Sequence, residues 1–200
     1  MINYSFILII SVIIIAIISW VEFYALISKI IIFDNFKSKL LRFLYKTSFL
    51  IYILSLVFFI LFIHSNKPEL EILIIYSILV SILSDIGGLI IGKKFKGKKL
   101  TKISPNKTIS GALGSFIFSL FLIPFFVQNY LNHNLVLLIL ITIIISITSQ
   151  VGDICISFLK RKAKVKDTSD LLPGHGGFLD RIDGIIFSIP IGFMLLNYFN

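Results

Sequence analysis

From Thr108 to Gly152 the chain reads TISGALGSFIFSLFLIPFFVQNYLNHNLVLLILITIIISITSQVG, 45 residues without an Asp, Glu, Lys or Arg. A helix needs about 20 mostly apolar residues to cross a hydrocarbon core of roughly 30 Å, so this run is too long for one span and long enough for two. The polar string Gln128, Asn129, Tyr130, Asn132, His133, Asn134 divides it into a helix over about Ile109–Val127 and another over about Leu135–Leu159. Working outward, Ile72–Gly92, Tyr45–Ser65 and Ile182–Phe199 have the same character. So does Ile2–Val21, whose apolar pattern resumes after Glu22 through Phe33. Composition agrees: 57% of the 200 residues are hydrophobic and 14% are charged, against about 25% charged in soluble domains. The expected fold class is an all-α polytopic membrane protein of about six transmembrane helices in one domain, residues 1–200. The first segment has no basic leader and no small-residue cleavage site, so it reads as a retained span.

The charge is lopsided, with 19 Lys and Arg against 10 Asp and Glu. Cytoplasmic loops are enriched in Lys and Arg, and eighteen of the nineteen cations fall in alternate connections. Lys29, Lys37, Lys39, Arg42 and Lys46 flank the first. Lys93, Lys94, Lys96, Lys98, Lys99, Lys102 and Lys107 fill the third. Lys160, Arg161, Lys162, Lys164, Lys166 and Arg181 fill the fifth, and Lys67 alone lies elsewhere. This predicts both termini outside and three basic loops in the cytoplasm of a cell (inner) membrane. Such loops set topology and attract anionic headgroups; for the first loop that suffices. The single cysteine excludes an internal disulfide and a cysteine-cluster metal site, and Cys155 reads as a buried small apolar residue.

Glu22, Asp85 and Asp153 fall within apolar segments, where a carboxylate is expensive and usually faces a polar interior. Asp85 precedes Lys93 by eight residues and Asp153 precedes Lys160 by seven, so both lie roughly 10 to 12 Å inside the cytoplasmic boundary. Two carboxylates at one depth suggest a cation site in a cavity opening to the cytoplasm, with independent helix–helix contacts as the lesser alternative. For Glu22, a place near the cytoplasmic end of a tilted first helix is an equal reading. Ser149, Asp153, Ser157 and Lys160 or Lys164 recur at intervals of three or four, forming a polar stripe on one helix face. Asp180 and Asp183 share a face at the start of the last helix. They suit Mg²⁺, which takes a few carboxylates plus substrate phosphates, or they complement a helix dipole.

Two loops could hold phosphates. Gly92 to Lys99 imitates a P-loop, but Lys99 stands where Ser or Thr must bind Mg²⁺ and no strand precedes it, so that motif is rejected. Ser104, Lys107 and Thr108 lie just before a helix N-terminus, which favours anions. In the fifth loop, cations precede Asp167 and a glycine-rich Pro173-Gly174-His175-Gly176-Gly177, where glycines permit close backbone approach. His64 and His133 read as interfacial residues on the outer face.

The run Ser157-Phe158-Leu159-Lys160-Arg161, Lys166-Asp167-Thr168-Ser169, Leu172-Pro173-Gly174-His175-Gly176-Gly177-Phe178, Asp180-Arg181 and Asp183 resembles the signature of the phosphatidate cytidylyltransferases, also called CDP-diacylglycerol synthases. The earlier block resembles the same family through Asp85, Gly88, Gly92, Phe95-Lys96-Gly97-Lys98, Ile103-Ser104-Pro105-Asn106-Lys107-Thr108 and Gly111. The likeness covers residues 80–184 well. Residues 1–79 match only in hydropathy and in Glu22-Phe23-Tyr24, and 185–200 is the last helix. Two departures stand out: the N-terminal helices are fewer than usual, and Ile86 follows Asp85 where the family places a small hydroxyl residue.

The resemblance implies that CTP and phosphatidate give CDP-diacylglycerol and pyrophosphate in phospholipid biosynthesis. It implies Mg²⁺, with a monovalent cation such as K⁺ beside it, on Asp153, Asp180 and Asp183, with Asp85 a further candidate. Lys166, Asp167 and His175 join those aspartates as catalytic candidates, while Ser104, Lys107, Thr108, Ser157, Lys160, Arg161 and Arg181 would bind substrate phosphates. A homodimer is what the family suggests, and no nucleic-acid partner is expected. Alternatives are a CDP-archaeol synthase, a CTP-dependent polyprenol kinase or, further off, a small cation transporter using Asp85 and Asp153.

Overall fold

A computed structural model of the chain describes residues 4–32, 35–101, 104, 107–127, 134–171, 174 and 176–199. Those residues form α1 (Tyr4–Ile30), α2 (Phe36–Asn66), a 3-10 turn (Pro68–Leu70), α3 (Glu71–Phe95), α4 (Ile109–Leu120), α5 (Ile123–Val127), α6 (Leu135–Lys162), α7 (Leu179–Ile182) and α8 (Ile185–Tyr198). Among the described residues every regular element is helical, and five helical stretches are long and apolar enough to cross a membrane: Tyr4–Ile30, Phe36–Asn66, Pro68–Phe95, Ile109–Val127 and Leu135–Lys162.

Several boundaries differ from the hydropathy reading, each for a local reason. Phe36 to Asn66 contains neither Gly nor Pro, so α2 begins nine residues before the apolar run and carries Lys37, Lys39, Arg42 and Lys46 inside the helix. It stops where Pro68 disfavours a helical Lys67. Between α4 and α5 the chain turns at Phe121 and Leu122, just before Pro124, which has no N–H to continue the ladder. The sixth expected span, Ile182–Phe199, is divided: α7 ends at Ile182, and α8 has 14 residues, short of the about 20 a crossing needs. Cys155 is exposed on α6, not buried.

The described residues form two compact units, one drawn from Met1–Lys67 and Leu159–Ile182, the other from Pro68–Phe158 and Asp183–Asn200. In the first, α1 packs on α2 through Phe23 stacked on Phe49, ring centroids 3.8 Å apart, above buried Leu26, Ile27, Ile53 and Leu56. In the second, α3 and α4 approach backbone to backbone: a Cβ on Gly114 would meet the Gly87 carbonyl at 2.7 Å, and one on Gly111 the Gly88 carbonyl at 2.8 Å. Lipid chains are as apolar as leucine, so helix association in a membrane rests on such close contact and on interhelical hydrogen bonds. The latter join α3 to α6 at Tyr76 and Thr142 (2.6 Å), Ser81 and Ser149 (2.6 Å), and Ser84 and Ser146 (2.8 Å), all buried.

Candidate active site

In the second unit the long basic loop after α3 is pinned at its base. Leu100 N–H donates to the Lys107 carbonyl at 2.8 Å and Ile109 N–H to the Lys98 carbonyl at 3.0 Å. Thr108 then caps α4, its hydroxyl accepting from Gly111 N–H at 3.0 Å. This is the role expected of a threonine at an N-cap, and it employs a hydroxyl that the sequence reading offered to phosphate. Ser104 supplies the carbonyl for Lys107 N–H at 3.1 Å. The turn delivers Lys107 to α6, where its ammonium forms an ion pair with Asp153 Oδ2. Ser157, one helical turn on, donates to Asp153 Oδ1 at 3.2 Å, and Asp85 on α3 is close enough to experience the charges of both Asp153 and Lys107.

Asp183 belongs to the same unit and is 4% exposed. Its Oδ1 accepts from Gly184 N–H at 2.9 Å, fixing the start of α8. Gly152, the neighbour of Asp153, makes that approach possible: a Cβ there would meet the Asp183 carbonyl at 2.7 Å and the Phe187 ring at 2.6 Å. Of the polar stripe on α6, Ser149 is spent on Ser81, so only its basic end, at Asp153 and Ser157, is left for chemistry.

The first unit holds the glycine-rich loop. Helix α6 ends in two overlapping bonds, Lys164 N–H to the Arg161 carbonyl (3.1 Å) and Val165 N–H to the Lys160 carbonyl (3.0 Å), with Lys164 left-handed at φ 56° where glycine is usual. The chain that follows wraps two carboxylates. Asp180 takes Lys160 Nζ at 2.7 Å on Oδ1, and Thr168 N–H (2.9 Å), Thr168 Oγ1 (3.1 Å) and Gly177 N–H (3.1 Å) on Oδ2. Glu22 on α1 is 3% exposed. Its Oε1 accepts from Ser169 Oγ (2.5 Å) and Phe178 N–H (2.9 Å), and its Oε2 from Leu179 N–H (2.7 Å) and from Thr168 Oγ1 (2.9 Å), whose single proton it shares with Asp180 Oδ2. Position 177 must be glycine, because a Cβ would fall on the Thr168 hydroxyl and 2.7 Å from Glu22 Oε2. Lys166, Asp167, Arg161 and Arg181 are exposed at the surface of this unit. His175 lies outside the described residues.

Burial alone would raise the Asp180 carboxyl, but the Lys160 ammonium and the Thr168 and Gly177 amides outweigh it and hold the group below its ordinary value. A depressed native pKa contributes stability above the unfolded value, about 3.9, and loses it as pH falls through the native one. Amide-exchange protection at Thr168 and Gly177, corrected for intrinsic rate, is therefore expected to be flat above about pH 5 and to fall below about pH 4. In Asp180→Asn that pH dependence is expected to disappear; an unchanged profile would assign it to another group.

Sequence reasoning missed the buried serine pairs of α3 and α6 and the reach of Glu22. Ser77, Ser81 and Ser84 do recur at helical spacing, the available signal for the former. The pairing of Glu22 with residues some 150 positions away leaves no local trace.

Helices of membrane-spanning length, one of them carrying a carboxylate paired with a lysine from a basic loop, define a membrane-type helical protein. The cytidylyltransferase family model matches residues 1–199, and the chain belongs to that family. It is 47% identical over 128 residues, 62% of this chain and 48% of the relative, to a phosphatidate cytidylyltransferase of Staphylococcus haemolyticus. With that of Rickettsia typhi it shares 38% over 153 residues, 72% of this chain and 65% of the relative. With that of Bacillus subtilis it shares 40% over 129 residues, 64% and 48%. The chain thus spans about half to two thirds of the length of these curated relatives.

Proposed function

We propose that the protein transfers a cytidylyl group from CTP to phosphatidate, giving CDP-diacylglycerol and pyrophosphate, as the names of its relatives suggest. The phosphate oxygen of phosphatidate forms a bond to the α-phosphorus of CTP, the bond from that phosphorus to the oxygen bridging it to the β-phosphorus breaks, and pyrophosphate leaves. A phosphate monoester is already anionic at neutral pH, so positioning and charge neutralisation carry the rate. The observation that carries this reading is Asp153 held between Lys107 and Ser157 with Asp85 nearby; Lys107, Ser157 and Asp85 come from the two blocks that resemble the family signature.

Asp85 and Asp153 with the Ser157 hydroxyl make an oxygen-only donor set. Among the described residues no three His, Cys, Asp or Glu side chains converge as a metal cage. The oxygen donors suit Mg²⁺, which is usually bound through one or two carboxylates with waters and substrate phosphates completing the shell. We assign Asp153 and Asp183 as its carboxylates, with Asp85 in support and K⁺ as a companion ion. When bound, Mg²⁺ neutralises charge on the phosphates. Lys107 neutralises Asp153 until substrate arrives and is then free to turn to a phosphate; in the other unit, Arg161, Lys166 and Arg181 are further cations for substrate phosphates. Asp180 acts through Lys160 and the loop it shapes, and Asp167 and His175 belong to that loop. The lysine-rich helix ends face the cytoplasm, by the positive-inside rule, and the enzyme works in the inner membrane as a homodimer.

The test is to incubate purified protein with phosphatidate, Mg²⁺ and CTP labelled at the α- or the γ-phosphate. Label from the α-position in a CDP-lipid supports the reading. Lipid labelled from the γ-position makes the protein a kinase, and no lipid product with ion flux instead makes it a transporter.

A further inference from the structure

The first basic segment, which hydropathy assigns to a loop, is helical, and that changes what its charges can do. Lys39, Arg42, Phe43 and Lys46 recur at intervals of three and four on α2 and therefore share one face. With Trp20 and Tyr24, four apart on α1, they line a cavity of about 340 Å³ inside the first unit, within the size range of small-molecule sites. Lys46 is only 9% exposed. Its ammonium donates to the Ser28 hydroxyl at 2.7 Å and lies 3.3 Å from the centroid of the Tyr24 ring, two partners that carry no negative charge. The buried Trp20 indole N–H has no acceptor among the described residues. A buried ammonium with neutral partners and an unanswered N–H on one wall call for an anion.

The rest of the cavity says which kind. Tyr24 and Phe43 are broadly exposed, so the cationic wall has an open aromatic border on two helices of membrane-spanning length. A free phosphate ion has no use for that border, whereas the glycerol and acyl carbons of a lipid do. Aromatic and basic side chains also gather where spanning helices meet headgroups. We infer that this cavity between α1 and α2 is a binding site for the phosphate of an anionic glycerophospholipid. Lys46 and Arg42 face the phosphate, Trp20 donates to it, and Tyr24 and Phe43 lie along the glycerol and upper acyl chains. None of the carboxylates assigned to cytidylyl transfer lines it, so the inference goes beyond that reaction and stands without it.

Trp20 is the only tryptophan in the chain, so its fluorescence reports on this cavity alone. The full-length protein is placed in bilayers of unlabelled phosphatidylcholine doped with acyl-brominated phosphatidylglycerol or, at the same mole fraction, acyl-brominated phosphatidylcholine. Stronger quenching by the anionic lipid is expected. Lys46→Gln should reduce the preference about fivefold, the effect of one cation near a headgroup, and Lys39→Gln should reduce it too if Lys46→Gln does not fold. Lys29→Gln removes an exposed charge outside the cavity and should leave the preference intact, as should Asp153→Asn whether or not it remains active. Equal quenching by the two lipids overturns the inference, as does an equal loss in Lys29→Gln, which would mean diffuse attraction. Abolition of the preference by millimolar glycerol 3-phosphate would make this a soluble-phosphate site and overturn the lipid assignment.

Discussion

Replacing Asp183 by asparagine is expected to lower CTP-dependent formation of CDP-lipid by about 10²- to 10³-fold, the usual cost of removing one preorganised charge from a phosphate or oxyanion site. The expectation rests on two properties of the position. The side chain is almost wholly buried, so its charge acts at short range with little water to screen it. The hydrogen bond known to depend on it, from Gly184 N–H to Oδ1, needs only an acceptor, which an asparagine carbonyl oxygen supplies. The substitution therefore removes a charge while keeping the start of α8. The measurement is the initial rate with α-labelled CTP beside a thermal unfolding curve in detergent. Near-normal activity in a folded protein would remove Asp183 from charge neutralisation, and loss of folding would show the carboxylate to be structural. In the folded case, a Mg²⁺ titration shifted to higher concentration would connect the loss to metal binding.

How far the sequence foretold this arrangement depends on the kind of interaction. The helices were legible because hydropathy is a sum over many residues: the split at residues 128–134 agrees with α5 ending at Val127 and α6 beginning at Leu135. Their ends were not, because hydropathy measures preference for lipid and helices end on local chemistry. Thus α2 runs through four cations until Pro68, and the last apolar run is interrupted between Ile182 and Ile185. At the site, Asp153 was legible because a carboxylate amid apolar residues costs enough to need a reason. Its pairing with Lys107 was not, since it depends on how the loop from Lys96 to Thr108 closes. Thr108 shows the converse: a hydroxyl before a helix reads alike as phosphate ligand and cap, and its oxygen accepts as the cap while its O–H still has a proton to donate.

Glu22 is where sequence was least informative, and its replacement should have the larger structural effect. Four donors meet its two oxygens, the Phe178 and Leu179 amides and the Thr168 and Ser169 hydroxyls, so one residue of α1 organises both ends of the loop between α6 and α7. Glu22→Ala leaves these donors without their acceptor at a cost of about 1 to 3 kcal/mol for each that stays buried. The loop is expected to open locally before α1 and α2 separate, because their apolar contacts at Phe23, Phe49 and Ile53 are untouched. Exchange protection at Phe178 and Leu179 should fall by about 100-fold, the equivalent of two such groups lost. Protection at Ile53 should stay unchanged. Cytidylyl transfer should fall with the loop, since Asp180 and Lys160 hold its other side. Glu22→Gln is not a gentle control: its NH₂ would face either the Leu179 or the Phe178 amide, donor against donor, so it should lose protection at one of the two. Glu22→Asp keeps the charge but falls one methylene short, and partial protection with partial activity is expected. If Phe178 and Leu179 remain protected in Glu22→Ala, the loop is held by other contacts and Glu22 is only a tolerated buried acid.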